Sequence, residues 1–186
     1  MNGRRGALRR LGAAAAWGGI GGIVGIGGLG LHGIARAAGP ERRPWPPRAP
    51  LPPPLVLPLL DGGRWALAES RGKLVVANFW ATWCEPCRAE LPSLELLAAR
   101  HEAQGLQVVT INFRETEGAM RRFLAQMPLG LPLARDVDGA AAKAFNVRLF
   151  PTTFVFGRDG RPLFSVRGEA DWGAEPARGW IAAALS

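Results

Sequence analysis

KLVVANFWATWCEPCRAELPSLE, residues 73–95, is the stretch that decides the fold of this chain. Residues 74–80 form an apolar run rich in β-branched and aromatic side chains, which is typical of a strand buried on both faces. Pro86 suits the first turn of a helix, because its missing N–H would have no partner there. Apolar residues at helical spacing over 91–98 continue that helix. The stretch therefore predicts a strand, a short turn and a helix that begins at two cysteines.

Cys84 and Cys87 are the two cysteines of the chain, and they fall on the first turn of the predicted helix. The thiolate is the reactive form of cysteine, and the N–H groups and dipole of a helix N-terminus stabilise it. We predict that Cys84, at the exposed tip, attacks a substrate disulfide and that Cys87 resolves the mixed disulfide. A purely structural disulfide would close a loop too short to stabilise much, and a zinc site would lack ligands. The pair indicates redox catalysis by a reversible disulfide, without a metal or other cofactor.

The segment FWATWCEPC, residues 79–87, resembles the active-site segment of thioredoxin-fold proteins, specifically the TlpA/ResA/CcmG-type thiol:disulfide oxidoreductases of bacterial envelopes. The resemblance extends over residues 55–186 and includes FPTTFVF at 150–156 and GEADW at 168–172. It implies an α/β protein with a thioredoxin fold, in which helices flank a central mixed β-sheet, and an added N-terminal β-hairpin.

The remaining patterns agree with that fold. Asp-Gly-Gly at 61–63, between apolar pairs, indicates the turn of a hairpin. A strand over 106–113 is expected to run parallel to residues 74–80, because a helix lies between them. Further helices are expected at 117–126, 140–145 and 175–185, a short strand at 131–134, and an antiparallel hairpin from 153–156 and 163–166 around an Asp-Gly turn.

The resemblance also implies a substrate-binding surface around the cysteine pair. The family proline that corresponds to Pro151 is cis and faces the cysteines. A cis proline at this position is available to the chain, and it leaves the backbone of Phe150 free to pair with an extended substrate segment. On this basis we expect the substrate to contact Trp83, Glu85, Pro86, Phe150, Pro151 and Thr152.

Glu90 is the third candidate catalytic residue. It lies three residues after Cys87, on the same face of the predicted helix, and it matches an active-site glutamate of the ResA branch. We predict that it helps to deprotonate Cys87 or manages its proton during resolution. An ordinary exposed helix acid is the alternative interpretation. Many thioredoxins carry a buried Asp where this chain has Asn78, so that proton acceptor is absent.

The formal net charge of +8 could suggest a nucleic-acid partner, but its distribution along the chain argues against one. Residues 1–48 hold eight arginines and one glutamate, whereas residues 49–186 carry fifteen basic and fourteen acidic residues. The basic charge therefore belongs to a leader and not to a binding face of the domain.

Residues 1–38 are predicted to be a signal or membrane-anchor segment. Four arginines precede residues 11–35, which carry no formal charge and which, at about 1.5 Å per residue in a helix, are long enough to span an apolar bilayer core. An uncleaved anchor, a cleaved Sec signal ending at Ala35-Arg36-Ala37 and a twin-arginine signal remain as alternatives, and the length of the span favours the anchor. Residues 39–54 are rich in proline and are predicted to be a semi-rigid extended linker, and residues 55–186 form the thioredoxin-like domain.

These features predict a reductase of protein disulfides on the periplasmic or extracytoplasmic face, anchored in the inner membrane by residues 11–35. By resemblance, apocytochrome c is the leading substrate, and a membrane-embedded thiol protein would donate the electrons. A Cu(I) metallochaperone that uses the same two cysteines is the alternative, because soft thiolates suit copper, although no third ligand is evident. A peroxide-reducing relative would require a Thr-x-x-Cys arrangement, which the chain lacks.

Overall fold

The computed structural model describes residues 39–186. The predicted leader, residues 1–38, lies outside these described residues, as does the predicted membrane span within it. In the described part of the chain, no helix combines the length and the apolar character that crossing a bilayer requires.

A mixed β-sheet forms the centre of the domain. The strands are β1 (Glu41–Pro44), β2 (Val56–Pro58), β3 (Arg64–Ala66), β4 (Leu74–Trp80), β5 (Leu106–Phe113), β6 (Leu133–Asp136), β7 (Thr152–Phe156) and β8 (Pro162–Arg167). The α-helices are α1 (Glu85–His101), α2 (Glu117–Gln126), α3 (Ala140–Ala144) and α4 (Ala177–Leu185). Six strands join in the order β1-β8-β7-β4-β5-β6, and β2 pairs with β3 alone. The sequence of elements and the sheet confirm the predicted thioredoxin fold.

Strand β4 is the central element of this sheet. All seven of its residues are buried, as the continuous apolar run predicts. It pairs in parallel with β5, with Leu74 opposite Leu106, and antiparallel with β7, with Val75 opposite Phe156. Because β4 is paired on both edges, the residues that follow its carboxyl end emerge near the middle of the sheet. The cysteine pair follows there.

Alternation along β4 divides the core into two layers, since successive side chains of a strand point to opposite faces. Val76 and Trp80 pack with the buried leucines of α1 (Leu91, Leu94 and Leu97) and with parts of α2 and α4. Val75 and Phe79 pack on the other face with Phe145, which directly follows α3, and with the β2–β3 hairpin. Asn78 shares the parity of Val76, so its side chain faces α1. This parity brings the polar residue of β4 to the helix that carries the cysteines.

The added N-terminal hairpin is confirmed as β2 and β3, which pair antiparallel with Leu57 opposite Trp65. Gly62 and Gly63 of its turn adopt φ values of +97° and +76°, a conformation that glycine adopts at little steric cost. Arg121 of α2 ties the turn to the domain, because its guanidinium donates to the carbonyl of Leu60 at 3.0 Å.

The structure differs from the predicted linker over residues 39–54. Strand β1 lies inside that range and pairs antiparallel with β8 as an edge strand, with Glu41 opposite Arg167. The Trp45 N–H then donates to the Leu163 carbonyl at 2.8 Å. An edge strand tolerates the missing N–H of Pro44, because one of its sides needs no partner. Later residues of this segment, Pro46 and residues 49–53, line a cavity of about 560 Å³ against the domain. The segment therefore lies along the domain, where a semi-rigid extended linker was expected.

Candidate active site

A disulfide between Cys84 and Cys87 lies where β4 leads into α1, with 5.3 Å between the two Cα atoms. Cys84 is the N-cap residue of α1, and its Sγ accepts a hydrogen bond from the Cys87 N–H at 3.3 Å. The Cys84 N–H donates to the Ala81 carbonyl at 3.2 Å and so closes the turn after β4. Both sulfurs are therefore held at a helix N-terminus, where backbone N–H groups favour a thiolate.

Cys84 is more enclosed than the sequence predicts. The residue was expected at an exposed tip, yet only 6% of Cys84 and 1% of Cys87 are accessible in the disulfide form. Both cysteines belong to the apolar cluster that includes Trp80 and Leu91, because the turn folds back onto the core. The small exposed part belongs mainly to Cys84, so an approaching sulfur meets this residue first.

Glu90 is buried, and the interpretation as an ordinary exposed helix acid is wrong. Only 2% of the residue is accessible, although it lies one turn beyond Cys87 on α1. Its Oε1 accepts a hydrogen bond of 2.5 Å from the indole N–H of Trp172. Burial raises the pKa of Glu90 from 4.5 to about 8, while the hydrogen bonds from Trp172 and Asn78 oppose this rise. Glu90 is thus a buried carboxyl group that changes protonation near neutral pH.

Asn78, on β4, connects Glu90 to Thr153 on the neighbouring strand β7. Its Nδ2 group donates to Glu90 Oε2 at 3.4 Å and to Thr153 Oγ1 at 2.9 Å. An amide can orient the carboxyl group but does not itself exchange a proton at physiological pH. Among Asn78, Glu90 and Thr153, which are all buried, Glu90 is therefore the residue that can exchange a proton.

Glu115 was not identified from the sequence. Its carboxylate accepts hydrogen bonds from the Thr82 N–H at 2.7 Å, the Thr82 hydroxyl at 2.5 Å and the Asn112 side-chain amide at 2.7 Å. Thr82 belongs to the turn that carries the cysteines, so Glu115 fixes this turn to the end of β5. The sequence nevertheless offered a way to find Glu115, because the carboxyl ends of the parallel strands β4 and β5 lie at the same end of the sheet. An acid two residues after β5 could have been expected beside the turn after β4.

The segment that contains Pro151 presents an aromatic surface. The peptide bond between Phe150 and Pro151 is cis, as the family resemblance implies. The Phe150 ring lies 5.9 Å from the Trp83 ring and 4.9 Å from the Phe113 ring, measured between centroids. Among residues 39–186, no backbone hydrogen bond involves Phe150. The free backbone and the aromatic row provide a place for an extended chain beside the disulfide.

The other predicted substrate-binding residues divide into two groups. Trp83 is 65% exposed, and Glu85 and Pro86 also lie at the surface on the first turn of α1. Thr152 differs from the expectation, because it is 2% exposed and its hydroxyl donates to the Leu149 carbonyl at 2.8 Å. The Thr152 side chain therefore stabilises the loop and is closed to a substrate.

The predicted copper-binding alternative uses Cys84 and Cys87. Within the described residues, 39–186, no cluster of three or more His, Cys, Asp or Glu side chains is arranged to hold a metal ion. The copper-binding alternative stays a prediction, and titration of the reduced chain with Cu(I) would test it.

Known proteins similar to this chain carry related names. The thiol-disulfide oxidoreductases ResA of Bacillus thuringiensis subsp. konkukian and of Bacillus subtilis are each 34% identical, over 110 and 113 residues, or 59% and 61% of this chain. These alignments span 64% and 63% of the length of the two relatives, which is less than two thirds. A crystal structure from Chlorobium tepidum, assigned as a thiol:disulfide interchange protein DsbE, has a TM-score of 0.68 and 33% identity and covers 73% of this chain and 96% of its own.

The family assignment follows from these matches and from the geometry above. The relatives confirm the resemblance to the ResA and CcmG types that the segment around Cys84 and Cys87 indicates. A model of one protein family, AhpC/TSA, matches residues 51–161, which is more than half of the chain and includes both cysteines. The chain therefore belongs to the AhpC/TSA family.

Proposed function

We propose that this protein is a thiol:disulfide oxidoreductase that reduces disulfides in other proteins. The observation that carries the proposal is a Cys84–Cys87 disulfide at the N-terminus of α1 with the buried Glu90 one turn behind it. A helix N-terminus favours a thiolate, and a carboxyl group with a pKa near neutrality can exchange a proton with it. The names of the relatives support the same activity.

The reaction moves two electrons from the cysteine pair of the protein to the substrate disulfide. In the reduced protein the Cys84 thiolate attacks one sulfur of a substrate disulfide and forms a mixed disulfide, and the second substrate sulfur leaves as a thiolate. The Cys87 thiolate then attacks Cys84 Sγ, and the first substrate sulfur leaves as a thiolate. Both substrate thiolates take up protons from water, which gives the dithiol. The Cys84–Cys87 disulfide forms at the same time, and a dithiol donor must reduce it before the next cycle.

Glu90 is proposed to carry the proton of Cys87 in this cycle. Its ionised form accepts the proton when Cys87 attacks the mixed disulfide. Its protonated form returns the proton when the disulfide is reopened and Cys87 leaves as a thiolate. Burial raises the pKa of Glu90 to about 8, so both forms are accessible near neutral pH. Asn78 and Trp172 orient the carboxyl group through their hydrogen bonds.

The finer parts of the proposal concern the setting of the reaction. The family resemblance supports an extracytoplasmic location, apocytochrome c as the leading substrate and a membrane-embedded thiol donor. If residues 11–35 act as an anchor, the mature protein should begin at or near Met1 and should resist carbonate extraction of membranes. An N-terminus found at Ala38 by protein sequencing would instead identify a cleaved signal and contradict the anchor.

Trapping of mixed disulfides tests the proposed activity and the role of each cysteine. The Cys87→Ser variant should accumulate complexes joined through Cys84, because the resolving thiol is missing. The matched Cys84→Ser variant should form no such complexes and should reduce no disulfide. Complexes that require Cys87 would reverse the assignment, and the absence of complexes from both variants together with an inactive wild type would refute the proposed activity.

A further inference from the structure

A basic groove of about 350 Å³ lies beside the aromatic surface of the candidate site. We call it the Arg114 groove, and its walls include Phe113, Arg114, Gly139, Lys143, Asn146 and Arg148. The cations Arg114, Lys143 and Arg148 line it together with one acidic residue, Asp138, whose carboxylate accepts a hydrogen bond from the Ala140 N–H at 2.9 Å. In the part of the chain that the structure describes, none of the three cations forms a salt bridge. Their charge is therefore available to an anionic group from outside.

The backbone of the groove is shaped to bring Arg114 into place. Arg114 and Asn146 have φ values of 55° and 51°, and they are the only residues other than glycine with positive φ among residues 39–186. This conformation is uncommon for an arginine. Gly139, with φ of 78°, lies so close that an added Cβ would be 2.8 Å from Arg114 Cδ and 3.0 Å from Phe113 Cε2. The missing side chain at Gly139 thus makes room for Arg114 and Phe113 in the wall of the groove.

A row of three aromatic rings connects this groove with the disulfide. Trp83 directly precedes Cys84, and its ring lies 5.9 Å from that of Phe150. The Phe150 ring lies 4.9 Å from that of Phe113, which lines the groove. An extended chain advances about 3.3 Å per residue, so roughly three to five residues would reach from the reacting cysteine to the cations.

We propose that the Arg114 groove binds a carboxylate side chain of the substrate polypeptide. The protein would then prefer disulfides whose reacting cysteine has an acidic residue a few positions away along the chain. This inference rests on the proposed function, because the occupant is the same polypeptide whose disulfide meets Cys84. Apolar side chains between the two points would lie on Trp83 and Phe150, and the acidic one would enter the groove. Opposite charges of this kind act mainly on the rate of productive encounter.

Matched peptide substrates test the proposal with the full-length chain. The peptides share one disulfide and otherwise one sequence. They differ only at a single position, which is Glu, Gln or Lys and lies about four residues before the reacting cysteine in one series and about four residues after it in another. Oxidation of the reduced protein by each peptide gives a rate constant. On the side that reaches the groove, the Glu peptide should react roughly 3- to 10-fold faster than the Gln peptide at low ionic strength, and the Lys peptide more slowly. About 0.5 M salt should remove most of the difference.

Substitutions in the groove supply the second part of the test. The triple variant Arg114→Gln, Lys143→Gln, Arg148→Gln should bring the ratio of the Glu and Gln rate constants to about 1. Lys143→Gln alone, at an exposed position, should lower the ratio by roughly half and guards against misfolding of the triple variant. Arg71→Gln is the matched control and should keep the ratio, because Arg71 is exposed and precedes β4 at the end of the sheet opposite the cysteines.

Each result separates the inference from the proposed function. Equal rate constants for the Glu and Gln peptides with the wild-type chain would refute the Arg114 groove as a carboxylate site and leave the oxidoreductase activity intact. The same conclusion would follow if the single and triple variants kept the wild-type ratio. A wild-type chain that reacts with none of the peptides would refute the proposed function and this inference together.

Discussion

Replacement of Glu90 by glutamine should remove a pH dependence of stability that the buried carboxyl group creates. The pKa of Glu90 is raised from 4.5 to about 8 in the folded protein, chiefly by burial. Between these two values the folded state keeps a proton that the unfolded state has released. The contribution of the Glu90 proton to the stability of the wild type is therefore fully present below about pH 4.5, and it is lost as the pH rises towards the folded pKa. Above that pKa, Glu90 is ionised in both states and the loss stops.

The size of the effect follows from the same proton. One proton held only by the folded state changes the free energy of unfolding by about 1.4 kcal/mol per pH unit. Across the interval the loss is on the order of a few kcal/mol, which is a large share of the typical stability of a domain. A glutamine at position 90 has nearly the same shape and keeps a carbonyl oxygen for the Trp172 N–H, but it does not titrate. The Glu90→Gln variant should therefore gain stability over the wild type as the pH rises.

Urea unfolding of the oxidised full-length chain, followed by tryptophan fluorescence between pH 5 and 9, would measure this difference. Groups other than Glu90 titrate in both proteins and cancel in the comparison. The Glu102→Gln variant is the matched control, because it removes a carboxylate from an exposed position just beyond α1 and should follow the wild type. Unfolding free energies of Glu90→Gln and wild type that stay parallel from pH 5 to 8 would refute the raised pKa and with it the proposed proton transfer.

Two further predictions concern the neighbourhood of the disulfide. Glu115→Gln should lower the unfolding free energy by about 1–3 kcal/mol, since one carboxylate oxygen that accepts from the Thr82 turn becomes an amide donor. Urea unfolding, with Glu102→Gln as the control, would measure this loss. A change no larger than that of the control would contradict the role of Glu115 in holding the turn. The reduction potential of the cysteine pair should lie nearer to about −270 mV, the thioredoxin value, than to about −120 mV, that of a strong oxidant. Glu85 stands between the cysteines, and no cation there offsets its negative charge, so the thiolate of the reduced form is only weakly stabilised. Equilibration with glutathione or dithiothreitol buffers gives the potential, and a value more oxidising than about −180 mV would contradict a reductase.

The sequence by itself determined the order of the main elements and the position of the cysteine pair. The apolar run at 74–80 predicts the buried centre of the sheet, since a strand covered on both faces has no polar alternation. Helix α2 begins and ends where its pattern predicts, at Glu117 and Gln126. Boundaries elsewhere differ by a residue or two, as for β6, which begins at Leu133 after Pro132 in place of residue 131. These features are local, so local composition and spacing are enough to predict them.

Burial and distant hydrogen bonds were decided only by the tertiary structure. Spacing alone places Glu90 on the same helical face as Cys87 but does not reveal that Trp172, 82 residues away, donates to it. The pKa of Glu90 depends on the loss of water around the carboxyl group, which only the packed core produces. Glu115 reaches Thr82 across 33 residues because two parallel strands end at the same edge of the sheet. The docking of β1 on β8 likewise depends on a free sheet edge, which the proline-rich composition of residues 39–54 does not indicate, because pairing is set by the partner strand and not by the segment itself.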